Sequence, residues 1–315
     1  MMKTGENRFR RKAWLAVLVL AAALGLGFLI HFNLHRDPGP EPESAPQVQS
    51  QAAPPAAPSR PDDPSFADAE QNPISPREAY ERLRAAAEAG STAAMLNVAE
   101  FYGNGWGVRQ NLSERFQWLQ KAAEAGDPQG AYRAGLALEM GLGVAADQAA
   151  ANRAFDQAAS LGLPEAHFRL AQGLLAGPEA DPVRAAGHLE EALAGGLPMA
   201  ANMLALLYIQ GPGNLEADAG KARLALQRGA ELADPEALKN LAVMFKEGLG
   251  GSADPAQALK WYLAAREAGW QGGDLEATLA ELEGQVGVQA AREAEAEAKA
   301  WLAERRERRD ADDSR

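Results

Sequence analysis

Residues 103–108 read Gly-Asn-Gly-Trp-Gly-Val, and residues 141–144 read Gly-Leu-Gly-Val. Glycines at alternate positions supply the positive φ values that end a helix and reverse the chain. Each stretch therefore predicts a tight turn between two helices. The turns keep step with a second landmark, Ala-Ala-Glu-Ala-Gly, which stands at Ala86–Gly90 and again 36 residues later at Ala122–Gly126. Equivalent positions follow at Gly162, Gly196, Ala233 and Gly269. A fixed period of this length is the signature of stacked repeats.

Working outward, other columns obey the same period. Fifteen residues before each landmark stand Ser75, Asn111, Asp147, Asp181, Asp218 and Asp254. All six carry side-chain oxygens able to accept from a free amide at a helix start. Three are followed by proline, Pro76, Pro182 and Pro255, which suits a first-turn position whose N–H is unpaired anyway. These caps open the second helix of each unit. The first helix should end at Gly105, Gly141, Gly177, Gly211 and Gly248, with a large apolar column three residues earlier at Tyr102, Leu138, Leu174, Tyr208 and Phe245. Two small columns accompany it: Ala94, Gly130, Ala166, Ala200 and Ala237, and then Ala99, Gly135, Ala171, Ala205 and Ala242. Small residues at helical spacing let helix axes approach closely, so the units should stack side by side.

The expected layout is a lone second-type helix from Ser75, five helix pairs, and a closing segment. In that segment Asp274 can cap a short helix to Glu283, Gly284 and Gly287 interrupt, and a long helix runs from Val288 to about Arg309. Glu295 with Lys299 and Glu304 with Arg308 lie four apart on it, in the favourable order. Its apolar face is mostly alanine with Trp301 and Leu302, which suits a terminal cap, a solvated tail or a docking helix.

These columns resemble the Sel-one-like branch of the tetratricopeptide superfamily. Its pattern runs from an Ala and Leu-Gly helix, through Tyr-x-x-Gly-x-Gly-Val, to an Asp-capped helix with Lys-Ala, a Trp and Ala-Ala-x-x-Gly. Trp118 and Trp261 occupy the tryptophan position, and Lys221-Ala222 the Lys-Ala. The resemblance covers Ser75 to Gly269 and implies an all-α, right-handed α-solenoid of helix-turn-helix repeats with adaptor or assembly roles. Units three and four depart from it. They read Gly177-Pro178-Glu179-Ala180 and Gly211-Pro212-Gly213-Asn214, which predicts differently bent loops. Some members staple the helices of a unit with Cys pairs, but this chain has no Cys. Functions tied to that subgroup, including proposed penicillin binding or β-lactam hydrolysis, are not carried over.

The absence of Cys also excludes thiolate catalysis and Cys-ligated zinc. A net charge of −12 speaks against nucleic-acid binding. Ahead of the repeats, Ala13 to Ile30 is uncharged and apolar, long enough at about 1.5 Å per residue to cross a hydrocarbon core. Lys3, Arg8, Arg10, Arg11 and Lys12 precede it and predict a cytoplasmic N-terminus. The reading is a basic N-terminus (1–12), a transmembrane signal-anchor helix (13–34), a Pro/Ala-rich acidic linker (35–72), the solenoid (73–273), and a capping helix with a charged helical tail (274–315). The chain would be a single-pass protein of a bacterial inner membrane with its repeats in the periplasm. A cleaved signal peptide is the rival reading. His31 and His35 at the far end of the segment read as interfacial residues or, less simply, as metal ligands.

No phosphate loop, zinc motif, nucleophile elbow or calcium loop is found, and no cofactor or metal is expected. The folded region carries two histidines, His167 and His188, each at a variable position. One column on the first helices escapes the packing pattern: Asn97, Arg133, Arg169, Met203 and Asn240, with Gln129, Glu165 and Glu236 four residues earlier. It is either a solvated face or a groove that takes a protein or peptide, with Arg133 and Arg169 able to meet a carboxylate. The function expected is a non-enzymatic interaction scaffold for cell-envelope proteins; the alternative is a wall glycan-binding protein or hydrolase.

Overall fold

The computed structural model describes residues 74–176 and 179–313, and among them the chain forms thirteen α-helices and no strand. A lone helix, α1 (Pro76–Glu88), comes first. Units one and two are α2 (Thr92–Asn104) with α3 (Leu112–Glu124), and α4 (Pro128–Met140) with α5 (Gln148–Ser160). Units three and four are α6 (Pro164–Leu175) with α7 (Pro182–Ala194), and α8 (Met199–Gln210) with α9 (Ala219–Glu231). Unit five is α10 (Pro235–Glu247) with α11 (Pro255–Glu267), and α12 (Leu275–Val286) and α13 (Val288–Asp313) follow. The predicted basic flank, anchor and linker lie outside the described residues. Among the described residues no helix is long and apolar enough to cross a membrane.

Every second helix begins as its cap residue requires. The side chains of Ser75, Asn111, Asp147, Asp181, Asp218 and Asp254 each accept a hydrogen bond from an amide two or three residues on. Three first helices are capped too, by Ser91, Asp127 and Asp234, whereas α6 and α8 start at Leu163 and Pro198 without a side-chain cap. Gly105, Gly141, Gly211 and Gly248 close their helices in the left-handed region. In unit three the predicted terminator Gly177 lies outside the described residues, and α6 closes on an extended Ala176.

The second glycine of each turn has a different task. A Cβ added to Gly107 would lie 2.5 Å from the Arg77 amide nitrogen, and one on Gly143 would lie 2.1 Å from the Leu112 carbonyl oxygen. At Gly250 the nearest atom would be the Ala219 carbonyl oxygen at 2.3 Å. In each case the turn presses on the first residues of the preceding second helix. Repeat-to-repeat contact therefore needs a residue without a side chain there.

The small columns bury against neighbouring helices. Ala99, Ala171, Ala205 and Ala242 are inaccessible, and a Cβ on Gly135 would meet the Phe155 ring at 2.6 Å. First helices approach one another directly, α2 against α4 and α8 against α10, so they share one face of the stack. The core divides into a cluster from Ala79 to Ala137, a small one around Ala131 and Ala166, and a large one from Ala171 to Leu302.

At the C-terminal end two expectations need correction. Asp274 makes no side-chain cap, and Gly284 lies within α12, so the chain breaks only at Gly287. Helix α13 runs to Asp313 and lies against α11 with Ala294, Ala298 and Leu302 buried. Trp301 meets Trp261 edge to face, with ring centroids 5.1 Å apart. Alanine suffices on this face because α13 packs closely on a finished stack.

Candidate functional site

The eight predicted site residues fall on α2, α4, α6, α8 and α10, and the structure treats the two ends of that series differently. Arg133 on α4 donates to the Glu100 carboxylate on α2 at 3.1 Å, and Arg115 on α3 approaches the same oxygen at 3.5 Å. One repeat later, Arg169 on α6 pairs with Glu139 on α4 and donates to Gln172 Oε1 at 2.9 Å. Each arginine thus forms a rung back to the previous first helix. The rungs are half-exposed, at 36% for Arg133 and 34% for Arg169. A guanidinium has five N–H donors, and these contacts engage only part of each set.

Asn97, Gln129 and Glu165 are half-buried beside them, and Glu165 Oε2 is buried without a hydrogen-bond partner. This part of the face is a row of half-buried polar groups, with the terminal guanidinium nitrogens of Arg133 and Arg169 held by carboxylates of the preceding first helix. Three residues of the column lie beyond it. Met203 is partly buried against the large core. Burial pushes the Glu236 carboxyl above its usual range, with Lys239 offsetting part of the effect.

Asn240 corrects the expectation most clearly. It is inaccessible, so it is not offered to a partner. Its amide donates to Asn202 Oδ1 at 2.8 Å and its carbonyl accepts from Lys239 Nζ at 2.7 Å. Asn202 continues the chain to Asp234 Oδ1 at 3.4 Å. The reason is that α8 and α10 are buried nearly all round, through Leu204, Leu207, Leu238, Leu241 and Met244. Trp270, just beyond α11, stands over Lys239 with its ring centroid 5.7 Å from Nζ. Burial lowers the Lys239 ammonium below its ordinary range. The same column is therefore half-exposed in units one to three, partly buried at Met203 in unit four, and drawn into an interior hydrogen-bond network at Asn240 in unit five.

The structure also joins two residues that the sequence left apart. His167 on α6 and His188 on α7 touch through their Nδ1 atoms at 3.1 Å. Their positions near facing levels of an antiparallel helix pair were the available signal. Among the described residues no group of three or more His, Cys, Asp or Glu side chains is placed to hold a metal ion. Two clefts of about 400 and 610 Å³ flank Val108 and Arg109 beside α1. They lie at the first turn, away from the arginine rungs.

The Sel1 repeat matches in five successive copies, at residues 92–127, 128–163, 164–197, 198–234 and 235–270. An exopolysaccharide production negative regulator from Rhizobium leguminosarum bv. viciae is 34% identical over 140 residues, which cover 38% of this chain and 51% of that protein. The chain thus spans about half the length of that curated relative. The crystal structure of a Sel1 repeat protein from Oxalobacter formigenes is similar at a TM-score of 0.59 and 24% identity, across 76% of this chain and 95% of that one.

Proposed function

Because the chain belongs to the Sel1 repeat family, with five copies of the repeat between residues 92 and 270, we propose that it is a non-enzymatic scaffold that docks a protein partner on the first helices of units one to three. The observation that carries this reading is the row of half-exposed arginine rungs, Arg133 on Glu100 and Arg169 on Glu139. Partly exposed ion pairs contribute at most about 1 kcal/mol, so exchanging the internal carboxylate for one from a partner costs little. Planar guanidinium groups take carboxylates in a directed, bidentate way. The partner is an extended or loop segment bearing acidic side chains or a chain-terminal carboxylate.

The apolar run at residues 13–30 supports a tether in the bacterial inner membrane with the repeats in the periplasm. In this reading the linker at 35–72 holds the stack off the bilayer. The relative named as a negative regulator of exopolysaccharide production supports a regulatory role toward envelope or surface-polymer machinery. Crosslinking in native membranes followed by mass spectrometry tests the docking face. The Arg133→Ala, Arg169→Ala double variant is expected to lose a defined partner while its helical circular dichroism stays unchanged. Equal capture by the double variant counts against this face. A reporter fused near the C-terminus that is active only in the cytoplasmic assay defeats the periplasmic placement.

A further inference from the structure

Unit three joins the N-terminal core to the large C-terminal one, and at that joint two imidazoles face each other. The Nδ1 atoms of His167 and His188 are 3.1 Å apart, and the ring centroids are 5.4 Å apart with planes inclined at 44°. The centroid separation exceeds the nitrogen separation by about the width of one ring, so the two nitrogens point at each other along the line between them. That is the geometry of an N–H···N hydrogen bond. A chelated metal needs lone pairs that converge on a third point, and these do not.

The bond depends on a single proton: one Nδ1 donates, and the other must keep its lone pair to accept. When both rings are charged, two donors and two like charges meet at this distance, and the contact becomes repulsive. Both rings are half-buried, which weakens the solvent's ability to screen that repulsion. The charged groups around His188 are His167 on α6, Asp156 on α5, and Arg184 and Glu191 on its own helix. Helix α8, packed on the other side of α7, has no ionisable side chain but Tyr208. Burial first, then His167 and Arg184, hold His188 below its ordinary range, while Asp156 and Glu191 offset part of the effect. Helix α6 also has few local ties, since it begins without a side-chain cap and ends on an extended Ala176.

We infer that the His167–His188 pair is an acid-sensitive latch that ties α6 to α7 while at most one ring is charged, and that lets the joint between the two cores loosen when both are charged. The sign follows from linkage. A histidine held below its unfolded value of about 6.5 contributes stability that is full above that pH and declines as the pH falls toward the folded value. Arg169, the last rung of the docking face, is on α6, so the loosening occurs at the edge of that face.

Hydrogen exchange of the full chain, corrected for intrinsic rates and compared at about pH 7.5 and about pH 5, tests the latch. Protection across residues 164–194 is expected to fall severalfold while residues 235–267 hold theirs. The His167→Gln, His188→Gln double variant is expected to lose that pH dependence; should it fail to fold, His188→Phe serves in its place. Equal loss in both segments, no loss in either, or the same pH dependence in the variant overturns the latch.

Discussion

The two ends of the stack follow the same repeat and use it for different ends. From α1 to α4 the first-helix face carries charged rungs that stay half-exposed, Arg133 on Glu100 and Arg169 on Glu139 just beyond. In α8 and α10 the equivalent face is largely interior, with Asn202, Lys239 and Asn240 buried among leucines. The repeat dictates helix length, turn and spacing, whereas exposure depends on what is stacked against each face. One end of the array is built to be self-contained. The other leaves polar groups within reach of a partner.

The hardest test of that contrast is Leu241→Ala, which removes an inaccessible side chain from the C-terminal core and is expected to cost about 2–5 kcal/mol. Hydrogen exchange should place the loosening in α8 to α13 and spare α1 to α4. Equal loosening at both ends would mean that the stack is one cooperative unit and that the division is only descriptive.

The turns sharpen the contrast at a smaller scale. Gly143 presses on the Leu112 backbone, while Gly213 in unit four meets only the Pro182 side chain, at 3.4 Å. Both have positive φ, so alanine is strained at either. Gly143→Ala adds a backbone overlap and is expected to cost about 3 kcal/mol or more, against about 1 for Gly213→Ala. Urea midpoints at constant slope measure the difference, and equal costs would show that the turn of unit two relaxes freely.

The finest comparison stays within one column. Asn240→Ala strands Asn202 Oδ1 and Lys239 Nζ in the interior and is expected to cost about 1–3 kcal/mol. Arg133→Ala breaks only a half-exposed pair and should cost about 1 kcal/mol or less. If the two costs match, the polar row is structural along its whole length, and the docking face loses its argument.

Much of this was legible beforehand. Six cap residues, the terminal glycines and the small columns marked the helices because each signal is local: a free amide needs an acceptor within its own turn, and a left-handed residue needs no Cβ. The C-terminal end of the array was read less well. Asp274 has the chemistry of a cap without making the bond, and Gly284 is tolerated within α12, since packing against the stack outweighs a weak local preference. The candidate site was legible as a column and not as a surface. Asn97 and Asn240 hold equivalent places, yet one is half-buried and the other inaccessible.

Sequence alone therefore determined the period, the helix pairs, their caps and turns, and the family resemblance, because those rest on interactions within a few residues of each other. Tertiary structure decided which part of the first-helix face remains open, that each arginine leans on a carboxylate roughly thirty residues back, and that His167 meets His188 across a helix pair. Those facts depend on how each repeat is covered by the next, and a stack's coverage is a property of the whole array rather than of any single copy.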